Sequence, residues 1–422
     1  MGSKQTTLVI ANLTEFDITD ISTLVRENGH WDGDSRPDRN FNNVALGRYD
    51  ARGEREELEA GWFSTSQGEY DMKLTFSNGE TFAFNNHQHD ALDKHRRIIA
   101  SNDSFEVCQS AGDGSNGLEI RRRGQADNAD WMGKLLGKKP NVKLNELTMP
   151  GSHDSGMYQA HGCGLPASEG TTKTQTDDFA NQLADGVRFF DVRIMWDDND
   201  YYTYHGEDQS ILVTTKFVGC LGGKLSDILA QTQAFLTGKG RQETVLFDIS
   251  HTHGSVKDRA ALARYFTDHC PAYCPSTEAQ YAHLKLSDTK GKVLLLFSDE
   301  FQGQWDPSKG ILPWRDENAT GYGMRVYNRY ADKQNINDLR NNQLPKLQDR
   351  GGYGQDYLFL LAWTLTGKVG TIVDILLMGS LVRPWLPKEL ARMKRGELKK
   401  PNVVNLDFTD RWVCAAIIDL NY

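Results

Sequence analysis

The sequence predicts a two-domain protein in which an antiparallel β-sandwich precedes an α/β barrel of the TIM type. In the N-terminal part, residues 70–76 alternate strictly between polar and apolar side chains, and the pair Asn78-Gly79 that follows favours a tight hairpin turn. In the C-terminal part, short apolar runs alternate with amphipathic helical patterns. That alternation is the order expected of a parallel barrel.

The first 125 residues are predicted to form short strands and turns without intervening helices. The candidate strands lie at 7–13, 61–64, 70–76 and 81–84. Several such strands in succession favour a sandwich of antiparallel sheets. A Gly- and Ser-containing run at 109–117 and a charged stretch at 121–130 then predict a loop and a linker. We therefore expect a sandwich domain at 1–125 and a barrel domain at 126–422.

The role of the sandwich domain is open at this stage. Trp31 and Trp62 lie beside polar loop sequences and could contact a sugar, a lipid head group or a protein partner. Ordinary packing of these aromatic rings is the alternative. We treat the domain as a candidate targeting or binding module.

The barrel domain offers eight candidate strands. They lie at 144–149, 187–194, 201–204, 244–249, 293–297, 323–327, 357–362 and 403–408. Amphipathic helices are predicted between them at 225–236 and 259–266. Because the carboxyl ends of parallel barrel strands meet at one mouth, side chains that follow these strands are expected to share one site.

Composition and charge limit the classes of partner. The 422 residues carry a formal net charge of −9 without a basic stripe that could follow a phosphate backbone, so nucleic acid is an unlikely class of partner. No stretch approaches about 20 apolar residues, and the first thirty residues lack a secretory signal pattern. We expect a soluble protein, cytoplasmic or exported by a signal-less route.

The six cysteines are dispersed and show no C-x-x-C pair that would indicate zinc. Without a signal peptide, buried reduced thiols are the favoured interpretation. The alternative is a disulfide bond, with Cys270 and Cys274 or Cys163 and Cys220 as the candidate pairs.

Two histidines occur in short, tightly specified contexts. His153 stands in Leu-Thr-Met-Pro-Gly-Ser-His-Asp-Ser, and His205 stands in Tyr-Thr-Tyr-His-Gly, with Gly-Val-Arg-Phe-Phe-Asp-Val-Arg193 between them. Cleavage of a phosphodiester needs a base, an acid and a fixed positive charge. Two imidazoles and a guanidinium can supply all three.

The same strings resemble the catalytic X region of phosphatidylinositol-specific phospholipase C in its compact bacterial-type form, from about residue 130 to 250 and more weakly to the C-terminus. The resemblance implies a TIM-type barrel. It also implies that His153 is the general base for the inositol 2-hydroxyl, that His205 is the general acid for the leaving diacylglycerol oxygen, and that Arg193 stabilises the phosphoryl charge.

Carboxylates are expected to orient these three groups. The resemblance implies that Asp154 partners His205, that Asp191 orients Arg193, and that Asp407 pairs with His153. Animal-type relatives carry an acidic residue at the position of Arg193 as part of a calcium site. An arginine there implies catalysis without a metal or other cofactor.

The residues that would bind the substrate follow the family pattern less closely. Tyr330 fits the residue that stacks on the inositol ring, but Asn328 stands where an aspartate is expected. A lysine expected near Ser250 and an arginine expected near the end of 293–299 are both missing. Other polar side chains nearby are the expected substitutes: Asp248, His251 and Asp299.

The sequence therefore predicts cleavage of phosphatidylinositol, or of a glycosylated relative, to diacylglycerol and a cyclic inositol phosphate at a membrane surface. Two alternatives remain: a phosphodiesterase for a different head group, and a non-catalytic lipid- or glycan-binding protein on the same scaffold. Leu376, Leu377 and Trp385 could contact a bilayer, or they could belong to an ordinary barrel helix.

Overall fold

The computed structural model describes residues 2–27, 29–31, 41–60, 67–89, 98–100, 102–112, 115–124, 127–211, 214–275, 279–367 and 374–422. The chain forms two compact units. The first comprises residues 1–126 and 380–397, and the second comprises residues 127–379 and 398–422. The domain boundary near residue 125 stays a prediction, but the assignment of 380–397 to the first unit was not expected, since the sequence placed that segment in the barrel.

The described residues of the first unit form nine strands. They are β1 (Gly2–Asn12), β2 (Ile18–Glu27), β3 (Gly29–Trp31), β4 (Ala51–Ala60), β5 (Gln67–Phe76), β6 (Thr81–His89), β7 (Ile98–Ala100), β8 (Phe105–Gly112) and β9 (Ser115–Arg122). One layer has the order β2-β5-β6-β7, and the other has the order β3-β4-β1-β9-β8. A single residue pair, Glu59 and Gln67, joins the layers through β4 and β5. All pairings are antiparallel except that of β1 with β9.

Apolar residues from both layers meet in one core. Leu8 and Ile10 of β1 contribute from one side, and Leu74 and Phe76 of β5 contribute from the other. The rings of Phe76 and Phe105 stack with their centroids 4.3 Å apart. The strict alternation of β5 places its apolar side chains on this inner face, as a half-buried strand requires. The predicted sandwich is therefore confirmed, whereas Trp62 lies outside the described residues and nothing is described for the side chain of Trp31.

The second unit contains a closed barrel of eight parallel strands and an antiparallel hairpin. Its strands are β10 (Met149–Ser152), β11 (Phe189–Asp197), β12 (Asp200–Ile211), β13 (Thr214–Lys224), β14 (Thr244–Thr252), β15 (Lys292–Phe297), β16 (Ile311–Asp316), β17 (Met324–Asn328), β18 (Leu358–Trp363) and β19 (Val403–Leu406). The barrel order is β10-β19-β18-β17-β16-β15-β14-β11, and β10 closes it by pairing with β11. The hairpin β12–β13 extends antiparallel from β11. The predicted TIM-type barrel is confirmed.

Two of the expected strands differ in detail, and one observed strand was not expected. Residues 144–146 form a turn of 3₁₀ helix, in which the Glu146 carboxylate accepts a hydrogen bond from the Lys143 amide, so the first barrel strand begins only at Met149. The run at 201–204 starts the hairpin and does not enter the barrel. The remaining barrel strand is β16, between β15 and β17, which the sequence analysis missed because Pro313 and the polar end of this run are untypical of a central strand.

Nine helices accompany the strands of the described residues. They are α1 (Trp131–Lys138), α2 (Glu169–Thr172), α3 (Phe179–Asp185), α4 (Leu225–Thr237), α5 (Arg259–His269), α6 (Ile336–Arg350), α7 (Ile375–Val382), α8 (Leu386–Lys394) and α9 (Arg411–Asp419). The amphipathic patterns at 225–236 and 259–266 correspond to α4 and α5. No helix in the described part of the chain is both long and apolar enough to span a bilayer.

The segment 380–397 packs within the first unit. The ring of Trp385 lies against a small cluster of Val9, Ala11 and Ala51 from β1 and β4. Close by, the Arg383 guanidinium donates to the Glu119 carboxylate at 3.2 Å. Trp385 is therefore a packing residue of the sandwich and not part of an ordinary barrel helix, and its contact with a bilayer stays a prediction.

Candidate active site

The carboxyl ends of the barrel strands surround a cavity of about 760 Å³. Because all eight strands run parallel, residues that are distant in sequence meet at this mouth. Ten of the twelve residues proposed from sequence line the cavity: His153, Asp191, Arg193, His205, Asp248, Ser250, His251, Asn328, Tyr330 and Asp407. Asp154 lies buried behind them, and Asp299 lies outside the lining.

The first histidine is fixed by a sharp turn at the end of β10. Gly151 lets β10 approach β19 closely, because a Cβ atom there would lie 2.6 Å from a methyl group of Val403. The His153 amide donates to the Leu406 carbonyl at 3.0 Å, and Asp154 follows with a positive φ of 42°. A left-handed aspartate is strained backbone of a kind that is often found at functional sites.

The second histidine is carried by the hairpin. His205 lies on β12 opposite Cys220 of β13, and the glycine after it has φ of 150°. A Cβ atom at Gly206 would lie 2.4 Å from the Val218 carbonyl oxygen, so the two hairpin strands can approach here only with a glycine. The Tyr-His-Gly sequence thus fixes the position of the His205 imidazole along the hairpin.

A carboxylate holds each imidazole. His153 Nδ1 donates to Asp407 Oδ1 at 2.8 Å, and His205 Nδ1 donates to Asp154 Oδ2 at 2.5 Å. Both aspartates are buried, whereas the histidine side chains keep 23% and 28% of their surface exposed. The Nε2 atom of each ring is therefore left for a substrate. A carboxylate behind an imidazole also fixes its tautomer and orientation.

Arg193 lies at the centre of this network. Its Nε is 2.6 Å from Asp154 Oδ1, and its Nη2 donates to Asp191 Oδ2 at 3.1 Å. The same Nη2 is 3.4 Å from His153 Nε2. Asp191 in turn accepts a hydrogen bond of 2.6 Å from the Ser250 hydroxyl. The guanidinium is therefore locked by two carboxylates beside the free nitrogen of the first histidine.

These charges shift the pKa values of three groups in the site. Burial would lower the pKa of His153, but Asp154 and Asp407 outweigh it and raise that pKa to about 9. Burial raises the pKa of Asp154, but Arg193 and then the two histidines hold it well below its usual value. Burial would also lower the pKa of Arg193, yet Asp154 and Asp191 raise it above its ordinary value. Arg193 and Asp154 therefore stay charged across the range in which enzymes work.

The hairpin that carries His205 is cross-linked. Cys163 and Cys220 form a disulfide bond, so the expectation of reduced thiols is wrong for this pair. The bond joins the loop after His153 to the strand opposite His205, and His161 and Leu221 exchange two backbone hydrogen bonds of 2.9 Å beside it. The sequence analysis named this pair only as an alternative to reduced thiols, because 57 residues separate the two cysteines and only the fold brings them together.

The residues proposed for substrate binding fall into two groups. Tyr330, Asn328 and His251 are exposed at the rim of the cavity, whereas Ser250 and Asp248 lie deeper. Asp299 is exposed and begins a 3₁₀ helix after β15, which takes it out of the lining. The expectation that Asp299 contributes to the pocket is therefore not supported by its position.

Several residues that line the cavity were not singled out from sequence. Asn405 lies two residues before Asp407 on β19, and the alternation of a strand would have placed both on one face. Thr174 donates its hydroxyl to the carbonyls of His153 and Asp154. Ile375 and Met378 of α7 also reach the cavity, and no local signal in the sequence announced this.

The donor atoms of His153, Asp154 and Asp191 lie within 4.8 Å of one another and could in principle hold a cation. The guanidinium of Arg193 already supplies positive charge to both carboxylates. A divalent ion among the same oxygens would have to displace it. The residues present therefore fit a site whose positive charge comes from arginine.

Comparisons with known proteins agree with this architecture. No protein-family model matches the chain. Human PI-PLC X domain-containing protein 3 is 26% identical over 335 residues, covering 70% of this chain and 94% of the relative. Mouse PI-PLC X domain-containing protein 2 is 28% identical over 213 residues, covering 44% of this chain and 60% of the relative. The 1-phosphatidylinositol phosphodiesterase of Staphylococcus aureus (strain Newman) is 42% identical over 64 residues, 15% of this chain and 19% of the relative.

A solved structure shares the fold. The phosphatidylinositol-specific phospholipase C from Listeria monocytogenes matches with a TM-score of 0.50 and 19% identity, covering 70% of this chain and all of that chain. The chain therefore shares the barrel fold of that phospholipase C and is similar in sequence to PI-PLC X domain-containing proteins.

Proposed function

We propose that the protein is a metal-independent phospholipase C that cleaves phosphatidylinositol, or a glycosylated relative, to diacylglycerol and a cyclic inositol phosphate. The observation that carries the proposal is the pair of carboxylate-backed histidines beside one locked arginine. Each histidine has Nδ1 bound to an aspartate and Nε2 left for the substrate. Acid, base and charge stabilisation are thus supplied by this chain alone.

The proposed reaction assigns one step to each group. His153 Nε2 takes the proton of the inositol 2-hydroxyl, whose oxygen attacks phosphorus. The bond from phosphorus to the diacylglycerol oxygen breaks, and His205 gives that oxygen a proton. Arg193, held by Asp154 and Asp191, neutralises the charge that grows on the non-bridging oxygens. Asp407 orients His153 and stabilises the imidazolium that forms.

Two features support a lipid substrate. Tyr330 is 66% exposed at the rim, where its ring is available to stack on the head group. Helix α7 lines the cavity with Ile375 and Met378, and it exposes Leu376 and Leu377 to 56% and 45%. One short helix thus joins the cavity wall to an apolar surface, which suits contact with a bilayer. The N-terminal sandwich would serve to target or position the enzyme.

Phosphorus NMR of the protein with phosphatidylinositol micelles in excess chelator tests the proposal. We expect a cyclic inositol phosphate from the wild type and none from His153→Ala. His269→Ala is the matched control, because His269 is an exposed histidine on α5 outside the cavity, and it should retain activity. Product that forms only after calcium is added would reject the role given to Arg193. No product with either chelator or calcium would favour another head group or a non-catalytic protein.

A further inference from the structure

Two buried polar side chains on the barrel interior take no part in the proposed chemistry. Asp248 of β14 is 3% exposed and Asn405 of β19 is 5% exposed, and both line the cavity. The interior of such barrels is dominated by branched apolar side chains. The neighbours in register are apolar: Leu296 on β15 beside Asp248, and Ala362 on β18 beside Asn405.

Both side chains have an oxygen without a hydrogen-bond partner among the described residues. These atoms are Asp248 Oδ1 and Asn405 Oδ1. Asn402, three residues earlier in the chain, shows the usual alternative: its oxygen accepts from the Phe359 amide, and its nitrogen donates to the carbonyls of Asn145 and Leu147. Buried polar atoms are normally satisfied in this way, because an unmatched one destabilises the fold.

The position of the two residues relates them to the catalytic groups. Asp248 precedes Ser250 by two residues, and Asn405 precedes Asp407 by two residues. Since side chains of a strand alternate between its faces, Asn405 shares the inner face with Asp407 and lies one layer deeper in the barrel. Asp248 and Ser250 both line the cavity, and the pairing of β14 with β11 shifts register after Asp248. Asp248 is also in register with Asp191, two residues before Arg193 on β11. A head group whose phosphate meets Arg193 would extend its far side towards this layer.

The chemistry of the two groups selects the kind of ligand. Burial, and then the negative charge of Asp191, raises the pKa of Asp248 well above its usual value. A neutral carboxyl group can donate and accept a hydrogen bond, and so can the amide of Asn405. A hydroxyl group also does both, whereas a phosphate diester oxygen only accepts and an ammonium only donates.

We infer that Asp248 and Asn405 form the floor of the substrate pocket and bind hydroxyl groups of a neutral polyol head group. The inference rests on the proposed function and deepens it, since it assigns recognition of the head group to two residues of this chain. Hydroxyl groups of the substrate would satisfy the two unpaired oxygens. The two unpaired oxygens destabilise the free protein, but they make binding selective for a head group with hydroxyl groups.

Binding of myo-inositol to the intact protein, measured by titration calorimetry, tests the inference without requiring turnover. Asp248→Leu and Asn405→Leu should each weaken binding by about tenfold or more, the loss expected when a buried hydrogen bond is removed. Asp248→Asn keeps a neutral donor and acceptor of the same shape, so its affinity should stay within about threefold of wild type. Asp185→Leu is the matched control, because Asp185 is a buried aspartate outside the cavity, and it should not alter affinity.

Thermal unfolding of the same variants separates binding from support of the fold. Asp248→Leu and Asn405→Leu should unfold at or above the wild-type temperature, since each removes an unsatisfied oxygen. Asn402→Leu breaks three hydrogen bonds and should unfold at a clearly lower temperature.

Four results would overturn the inference: no binding of myo-inositol by wild type, unchanged affinity in the leucine variants, equal loss in Asp248→Asn and Asp248→Leu, or a lowered unfolding temperature in the leucine variants. The proposed function is tested separately. Inositol binding lost in these variants, with no cleavage of phosphatidylinositol by wild type, would uphold the pocket floor and reject the lipase. Cleavage of phosphatidylinositol by wild type, together with unchanged inositol affinity in the leucine variants, would uphold the lipase and reject the pocket floor.

Discussion

At the scale of single residues, the site is organised around Asp154. This buried carboxylate contacts His205 and Arg193 and lies 3.8 Å from His153 Nε2, so it couples all three proposed catalytic groups. Its backbone has a positive φ of 42°. The strain of a left-handed aspartate, of about 1–3 kcal/mol, is offset by these ion pairs.

The raised pKa of His153 predicts an unusual dependence of activity on pH. A general base must be neutral, and with a pKa of about 9 only about one molecule in a hundred is neutral at pH 7. We therefore expect kcat/KM to rise with pH through the neutral range as the neutral fraction of His153 grows. The measurement is a pH profile of phosphatidylinositol cleavage from pH 5 to 10.

Asp407→Asn tests which group produces that profile. Removing this carboxylate takes away a negative charge that stabilises the imidazolium, so the pKa of His153 falls and the rising limb should move to lower pH. The maximum value of kcat/KM should also fall, because an amide no longer fixes the tautomer of the imidazole ring. A rising limb that stays in place in Asp407→Asn would show that another group controls it.

At the scale of elements, the hairpin β12–β13 determines where the second histidine lies. The antiparallel register sets His205 opposite Cys220, and the disulfide to Cys163 ties this strand to the loop that follows His153. The Gly164 amide adds a hydrogen bond of 2.9 Å to the Gly219 carbonyl. The loop that follows His153 and the hairpin that carries His205 are therefore cross-linked to each other.

Cys163→Ser should therefore weaken both the fold and the site. Opening a loop of this length is expected to cost about 2–4 kcal/mol of unfolding free energy, and a displaced His205 should lower kcat by about tenfold or more. Denaturant unfolding and turnover measure the two effects, and treatment of the wild type with dithiothreitol should reproduce them. Cys274→Ser is the control, since this exposed thiol takes no part in a disulfide. Equal stability of Cys163→Ser and wild type would contradict the prediction.

At the scale of the whole molecule, the first unit is discontinuous in sequence. Its sandwich is completed by residues 380–397, which follow the seventh barrel strand in the order of the chain. Trp385 covers Val9, Ala11 and Ala51, and the Arg395 guanidinium donates to the Asp50 carboxylate at 3.2 Å. The sandwich is therefore not specified by residues 1–125 alone.

This arrangement predicts a distant effect of one substitution. Trp385→Ala removes a ring that fills the apolar patch on β1 and β4, so it should lower the unfolding free energy of the sandwich by about 2–3 kcal/mol, less than for a fully buried tryptophan. Thermal unfolding followed by calorimetry measures the loss. Trp196→Ala is the control, because Trp196 is exposed and lies in the second unit. An unchanged unfolding profile of Trp385→Ala would refute the assignment of 380–397 to the sandwich.

The sequence by itself determined the local elements and the chemistry of the mouth. Alternation in β5, the Asn78-Gly79 turn and the apolar runs of the barrel act over neighbouring residues, so periodicity predicts them. The strings around His153, Arg193 and His205 likewise carry their chemistry locally. Such signals identified the sandwich and the barrel, and the resemblance carried by these strings implied ten residues that line the cavity.

Only the tertiary structure decided which distant residues meet. It placed Ile311–Asp316 in the barrel instead of 201–204, joined Cys163 to Cys220, returned 380–397 to the first unit, and brought Asp248 and Asn405 to one pocket floor. Each of these outcomes depends on contacts between segments far apart in the chain. Local patterns do not encode such contacts, because burial and pairing are properties of the folded chain as a whole.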